Sequence, residues 1–263
     1  MELVIQPNAE RAAWLVAALI AQALREKPHL VLGLATGRTM ERVYQRLARM
    51  HSEEGLDFSL CRTFNLDEYI GLSPEDPNSY RYYMNQHLFS KINIDPRNTF
   101  LPDGMATDVK ASCRRYEERI AECGGIDLQL LGIGADGHIG FNEPLSALRS
   151  RTRDKALTPS TIAVNSTLFK NPQDMPTRAI TMGVGTILDA RTAIMLVTGA
   201  SKAEILAKAV EGPITAMVTA SALQLHPACR VVVDEEAAAN LQAQDYYRWI
   251  FNTEPEWAAF RGK

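Results

Sequence analysis

Apolar and polar positions change rhythm along the chain, and each change marks an element. Glu2–Gln6 is short with an apolar middle, as a strand is, and Asn8 then precedes Ala12, Leu15, Val16, Leu19 and Ala23 at helical spacing. Residues 29–35 are almost wholly apolar, the pattern of a strand covered on both faces, and Val43, Leu47 and Met50 mark the next helix. A third strand is expected over 60–65. Beyond it Ser79 is expected to cap a helix carrying Tyr80, Tyr83, Met84 and Leu88, whose aromatic rings read as packing. A short strand near 99–101, a polar helix over 108–121 and an apolar strand over 126–132 follow. Residues 145–176 are polar, with few helical signals, and read as an irregular lid or regulatory segment. Order returns over 182–190. A strand over 193–198, a helix capped by Ser201, a short helix over 220–225, a last strand over 230–233 and an amphipathic tail with Tyr246, Tyr247 and Trp249 complete the chain. The tail is expected to lie against the body or a partner subunit. Such alternation predicts an α/β fold: one domain over 1–263 built on a doubly wound, mostly parallel, Rossmann-like sheet with helices on both faces, the lid lying within it.

Composition narrows the function more than the fold. Apolar residues make up 46% and charged residues 22% of 263, with a net charge of -3, and no basic block suggests nucleic acid. The apolar runs are too interrupted to span a membrane. Cys61, Cys113, Cys123 and Cys229 show no C-x-x-C spacing, and no signal peptide precedes the first strand, so a reduced cytoplasmic setting is expected.

The chemistry concentrates in residues 130–144, L-L-G-I-G-A-D-G-H-I-G-F-N-E-P, where a buried strand opens into glycines, an acid, an imidazole and a second acid. Gly132, Gly134 and Gly137 spell G-x-G-x-x-G, but Gly140 and Pro144 oppose the helix that a dinucleotide fingerprint needs. A plain glycine turn remains open. Acid–base catalysis by His138 between Asp136 and Glu143 is the sharper reading, because imidazole titrates near neutrality. No second histidine stands at ligand spacing, so no metal is expected. Three other turns carry polar groups past a strand: Thr36, Gly37, Arg38 and Thr39 at a helix start suited to an anion, Asp67 to Tyr69, and Gly199 to Lys202. Lys202 falls in a first helical turn, where the dipole does not favour a cation. In a parallel sheet all four turns emerge at one edge. An anion cradle plus proton-transfer groups, with no redox motif, suggests cofactor-free isomerisation of a phosphorylated sugar. Asp67 would then move a proton between C2 and C1, and His138 would open the ring.

Several motifs in one order also resemble a known family, the glucosamine-6-phosphate deaminases. They are G-L-A-T-G at 33–37, T-F-N-L-D-E-Y-I-G-L at 63–72, G-A-D-G-H-I-G-F-N-E-P at 134–144, S-R-T-R at 150–153 and L-Q-L-H-P at 223–227. The resemblance implies conversion of glucosamine 6-phosphate and water to fructose 6-phosphate and ammonia. It makes Asp67 the enolisation base, Asp136, His138 and Glu143 the ring-opening set, and Lys202 with the Thr/Gly loop the phosphate site. It also implies an oligomer in which N-acetylglucosamine 6-phosphate acts at Ser146, Arg153 and Lys155, although Ala147 replaces a serine often found beside them. Two further departures stand out. Arg38 and Met40 occupy positions where the family usually has a small residue and a proline, and Thr167 stands where it has a phosphate-binding arginine. Either Arg38 replaces that guanidinium, or the terminal anion differs, for example a sulfonate. A galactosamine 6-phosphate substrate, a lactonase or related isomerase, and a non-catalytic sugar-phosphate sensor are the other readings left open.

Overall fold

Seven strands form one parallel sheet, and their order decides where the loaded turns end up. The computed structural model describes residues 1–261. In chain order the strands are β1 (Glu2–Gln6), β2 (Val31–Leu34), β3 (Arg62–Asn65), β4 (Asp67–Tyr69), β5 (Thr99–Phe100), β6 (Leu128–Leu131), β7 (Arg153–Ala156), β8 (Arg178–Thr181), β9 (Thr192–Val197) and β10 (Cys229–Asp234). The large sheet runs β1-β10-β9-β6-β2-β3-β5 with every neighbouring pair parallel. Its strands are nearly continuous apolar runs because helices cover both faces. Leu32, Leu34, Leu130, Leu131, Ile194 and Val231 are fully buried in its core.

From β2 the chain winds outward to β3 and β5, and from β6 it winds the other way to β9 and β10. The order therefore reverses between β2 and β6, where open α/β sheets hold their ligands at the carboxyl ends of the strands. At the opposite end Asp127 ties three strands together. It accepts from the Val31 amide (2.9 Å), Lys27 (2.8 Å) and Arg191 (2.9 Å), fixing the starts of β2, β6 and β9.

The helices begin where local chemistry says they should. Asn8 accepts from the Arg11 amide (2.9 Å) ahead of α1 (Ala9–Glu26). Ser79 accepts from Tyr82 (3.1 Å) ahead of the helix following β4, and Asp108 from Ala111 (2.9 Å) ahead of the one following β5. Between α1 and these lies α2 (Arg38–Glu54); the other two are α3 (Tyr80–His87) and α4 (Val109–Glu122). Among the described residues no helix is long and apolar enough to cross a membrane.

Three expectations need correction. Residues 145–176 are not irregular: they hold β7 and the short helix α5 (Pro159–Asn165), started by Pro159 and capped by Thr158. Basic composition hid β7, whose side chains are only half covered. Residues 67–69, expected as a turn, form β4 in a second, antiparallel sheet, β4-β8-β7, which pairs both Asp67 and Arg153 with Thr181. Ser201 caps nothing; a 3-10 turn over Ala200–Lys202 leads into α7 (Ala203–Val210), after α6 (Val184–Leu188), and no side chain caps either step.

Backbone packs tightly at Gly183, just past β8, where a Cβ would stand 2.0 Å from the Ser150 carbonyl oxygen in the turn before β7. Because that obstacle is backbone, Gly183→Ala is expected to cost about 2 kcal/mol in urea unfolding. An unchanged midpoint would show that this junction is not close-packed.

Candidate functional site

Four consecutive strands of the large sheet, β9, β6, β2 and β3, deliver their carboxyl-terminal turns to one cavity of about 800 Å³. Thr36, Gly37, Arg38, Thr39, Asp67, Asp136, His138 and Lys202 all line it, and Glu143 lies buried behind His138. The expected convergence is present.

The turn after β2 is held from behind. Gly37 adopts φ 117°, a conformation that only glycine takes without strain, and α2 starts with no side-chain cap. Tyr83 donates to the Gly37 carbonyl (2.8 Å) and Tyr44 donates to the Ala35 carbonyl. Met40 donates to the same Gly37 carbonyl (2.9 Å), while the amides of Arg38 and Thr39, too early in α2 for an intrahelical partner, suit an anion. Lys202 lies across the cavity, half-buried, donating to the Ile133 carbonyl (2.9 Å). Burial draws its pKa down, and the nearby Asp136 charge works against that.

On the β6 side the turn wraps an imidazole between two carboxylates. Nδ1 of His138 lies 2.6 Å from Asp136 Oδ1 and 3.3 Å from Glu143 Oε2. Neither contact is aligned as a hydrogen bond, so the pair is electrostatic first. Burial opposes a charge on His138, but the two carboxylates outweigh it and raise its pKa to about 9. For Asp136 burial likewise opposes the charge, and the imidazolium overcomes it, so that the carboxyl stays well below its usual range. The three donor atoms lie within 4.8 Å of one another, a spacing that a cation could bridge. At 2.6 Å, however, Nδ1 and Oδ1 are closer than two ligands of one tetrahedral ion, roughly 3.3 Å for bonds of ~2 Å. An ion pair between a charged imidazole and the two carboxylates fits better. Nδ1 is thereby committed to the acids, and Nε2 is left for a substrate oxygen.

Asp67 comes from β4 and lives in the opposite environment. Its carboxylate is buried, and burial first, then the Glu68 charge, lift its pKa to about 7, with His138 pulling the other way. Glu68 is structural: it accepts from the amides of Tyr80 (3.0 Å) and Arg81 (3.0 Å) at the start of α3. The sequence could not separate these adjacent acids, because the alternation of β4 sends one to the cavity and the other to a helix end.

The residues expected to hold an allosteric ligand lie in β7 and in the turn before it. Ser146 is buried, Arg153 donates to Asn142 Oδ1 (2.8 Å), and Lys155 stands two residues further along β7. Only Arg153 reaches a second, shallower cavity, shared with Arg114 and Glu117.

A family model described as glucosamine-6-phosphate isomerases/6-phosphogluconolactonase matches residues 6–239. The chain belongs to this family. A glucosamine-6-phosphate deaminase of Arthrobacter sp. (strain FB24) is 49% identical over 257 residues, 98% of this chain and 99% of that one. Another, of Hahella chejuensis (strain KCTC 2396), is 49% identical over 250 residues, 95% of each chain. Among solved structures, a monomeric glucosamine-6-phosphate deaminase has a TM-score of 0.90 at 44% identity, covering 91% of this chain and 100% of that one. A 6-phosphogluconolactonase from Trypanosoma cruzi shares the fold, with a TM-score of 0.74 at 20% identity over 92% of this chain and 97% of that one.

In this member of the glucosamine-6-phosphate isomerase/6-phosphogluconolactonase family, the residues that hold the site are ones the sequence did not advertise. A Cβ on Gly134 would stand 2.3 Å from the imidazole of His138, so the ring rests on bare backbone. Thr219 donates to the Asn142 carbonyl (2.7 Å), and Thr181 accepts from the Phe141 amide (3.0 Å), pinning the stretch between His138 and Glu143. Tyr80 and Tyr83, read as packing, also line the cavity. Tyr69 accepts from Asn165 of α5 (3.0 Å) and meets Phe169 edge-on, while Glu143 Oε1 accepts from the Thr158 amide (3.3 Å). The segment expected as a lid is thus fastened to both acid sites. These partners come from strands and turns far apart in sequence, so only their own residue types could have hinted at them.

Burial of Asp67 has a stability consequence with a definite sign. An acid whose folded pKa is raised contributes stability that is present below its unfolded pKa of 3.8 and lost as pH rises through about 7. Asp67→Asn, uncharged throughout, is therefore expected to be more stable than the parent at pH 8, by about 1–4 kcal/mol, and equal to it near pH 3. Equal thermal unfolding temperatures at both pH values would refute the burial argument.

Proposed function

We propose that the protein is a deaminating isomerase that converts glucosamine 6-phosphate and water to fructose 6-phosphate and ammonia. The observation that carries the reading is one cavity with an anion cradle, a carboxylate and an acid–imidazole–acid set. The deaminases that resemble it over nearly its full length support the same reading.

The sugar 6-phosphate sits against the amides of Thr36 to Thr39, Arg38 and Lys202, which places the pyranose toward His138 and Asp67. His138, charged by its two acids, delivers a proton to the ring oxygen and takes up the one that the anomeric hydroxyl loses, and the ring opens. Asp67, held near its midpoint, removes the proton from C2 of the open chain. The electron pair moves into the C1–C2 bond while the carbonyl pair moves onto O1, which takes a proton from His138, giving an enolamine. Asp67 returns the proton to C1, the nitrogen lone pair forms a ketimine at C2, and water adds there to expel ammonia. Every step is a proton transfer or a hydration, so no cofactor is called for.

The cytoplasm suits a chain whose four cysteines are all unpaired. Activation by N-acetylglucosamine 6-phosphate would require Ser146 to leave its buried position, and an oligomer would have the exposed Tyr246 and Trp249 face to cover.

Purified protein is expected to release ammonia and fructose 6-phosphate from glucosamine 6-phosphate in equal amounts. A sensor or a lactonase would release no ammonia, and that result would end this reading. The pH profile of kcat/KM is expected to rise through about 7, where Asp67 ionises, and to fall through about 9, where His138 loses its proton. Asp136→Asn removes a carboxylate that raises the His138 pKa, so its falling limb moves to lower pH. Asp67→Asn is expected to lose about 10³-fold or more in kcat. An upper limb that stays in place in the Asp136 variant would remove His138 from the assignment.

A further inference from the structure

Two cations, each at a helix start, line the same cavity. Arg38 is the first residue of α2 and is exposed to the cavity; Lys202 stands immediately before α7. The helix dipole opposes a cation at either place, so neither serves local stability. Among the described residues neither makes an ion pair. The hydroxyl of Thr167, on another wall of the same cavity, donates to the Val164 carbonyl (2.8 Å) and adds no charge.

Charge, rather than hydrogen-bond number, is therefore what Arg38 and Lys202 together offer an anion. A terminal group with one negative charge would leave a cation uncompensated, and a group with two would balance both. We propose that Arg38 is a specificity-determining residue that makes the site select a dianionic phosphate monoester over an isosteric monoanion such as a sulfate ester or sulfonate. The proposal rests on reading the cavity as an amino-sugar phosphate site, and it answers whether an exchanged arginine signals a different anion. An arginine that only formed hydrogen bonds would serve phosphate and sulfate nearly alike, since both present the same oxygens. Coulomb energy, by contrast, scales with ligand charge, so removing one cation weakens a dianion by twice the free energy that it weakens a monoanion.

The test uses two ligands that cannot react, glucitol 6-phosphate and glucitol 6-sulfate, with binding measured by calorimetry at pH 8, where the phosphate is fully dianionic (second pKa about 6). The parent is expected to favour the phosphate by about 100-fold. Arg38→Met, close in length but neutral, is expected to lose about 100-fold for the phosphate and about 10-fold for the sulfate, so the preference narrows about tenfold. Arg38→Lys keeps the charge and is expected to keep the preference. Because the Met variant removes a cation from a helix start, its thermal unfolding temperature is expected to be equal or higher. Equal losses for both ligands, no loss for either, or a preference that the Lys variant fails to keep would overturn the proposal. Ammonia release by the parent, assayed on the same preparation, separates the two ideas. A protein that binds with this charge preference and releases no ammonia contradicts the proposed reaction and leaves the role of Arg38 intact.

Discussion

Two proton-handling groups share one cavity and are held in opposite electrostatic surroundings. Asp67 is buried, among the described residues no hydrogen bond steadies its charge, and its pKa climbs to about 7. His138 is less deeply enclosed, and Asp136 and Glu143 hold it charged up to about 9. At neutral pH the first can accept a proton from carbon and the second can give one to oxygen. That pairing of a half-ionised acid with a fully charged imidazole needs the protein to spend stability on Asp67 and to surround His138 with carboxylates. Each environment is made by a different sheet: the antiparallel one buries Asp67, and the turn after the central parallel strand closes on His138.

Topology makes the encounter unavoidable. Because the order reverses between β2 and β6, the turns after four neighbouring strands open at one lip. Asp127 fixes the far ends of three of these strands, and buried threonines fix the near end, so the turn carrying His138 has little freedom. Two glycines shape the site directly. Gly37 allows the turn at the start of α2, and Gly134 leaves the space in which the imidazole lies.

Much of this could be read from the chain, for reasons that differ by residue. The parallel sheet was legible because long apolar runs alternate with amphipathic helices, and Asn8, Ser79 and Asp108 announce helix starts through short-range hydrogen bonds. The cradle and the acid–imidazole–acid set were legible because each is contiguous in sequence. What stayed hidden depends on distant partners. β7 has no apolar face to betray it and exists because β8 pairs with it. The difference between Asp67 and Glu68 is set by side-chain alternation along a three-residue strand and the position of α3. Ser201 looked like a cap, but a 3-10 turn intervenes and takes Lys202 to the cavity wall.

Division of labour between the two groups is the central claim, and ring opening can be observed without the rest of the reaction. Magnetisation-exchange NMR on glucosamine 6-phosphate measures how fast its α and β anomers interconvert, which requires opening and closing but no attack on C2. The expected result is that Asp67→Asn, although unable to release ammonia, still speeds anomer exchange above the rate in buffer, whereas His138→Asn does not. If the Asp67 variant lost both activities, or the His138 variant kept anomer exchange, the two groups would not divide the chemistry in this way.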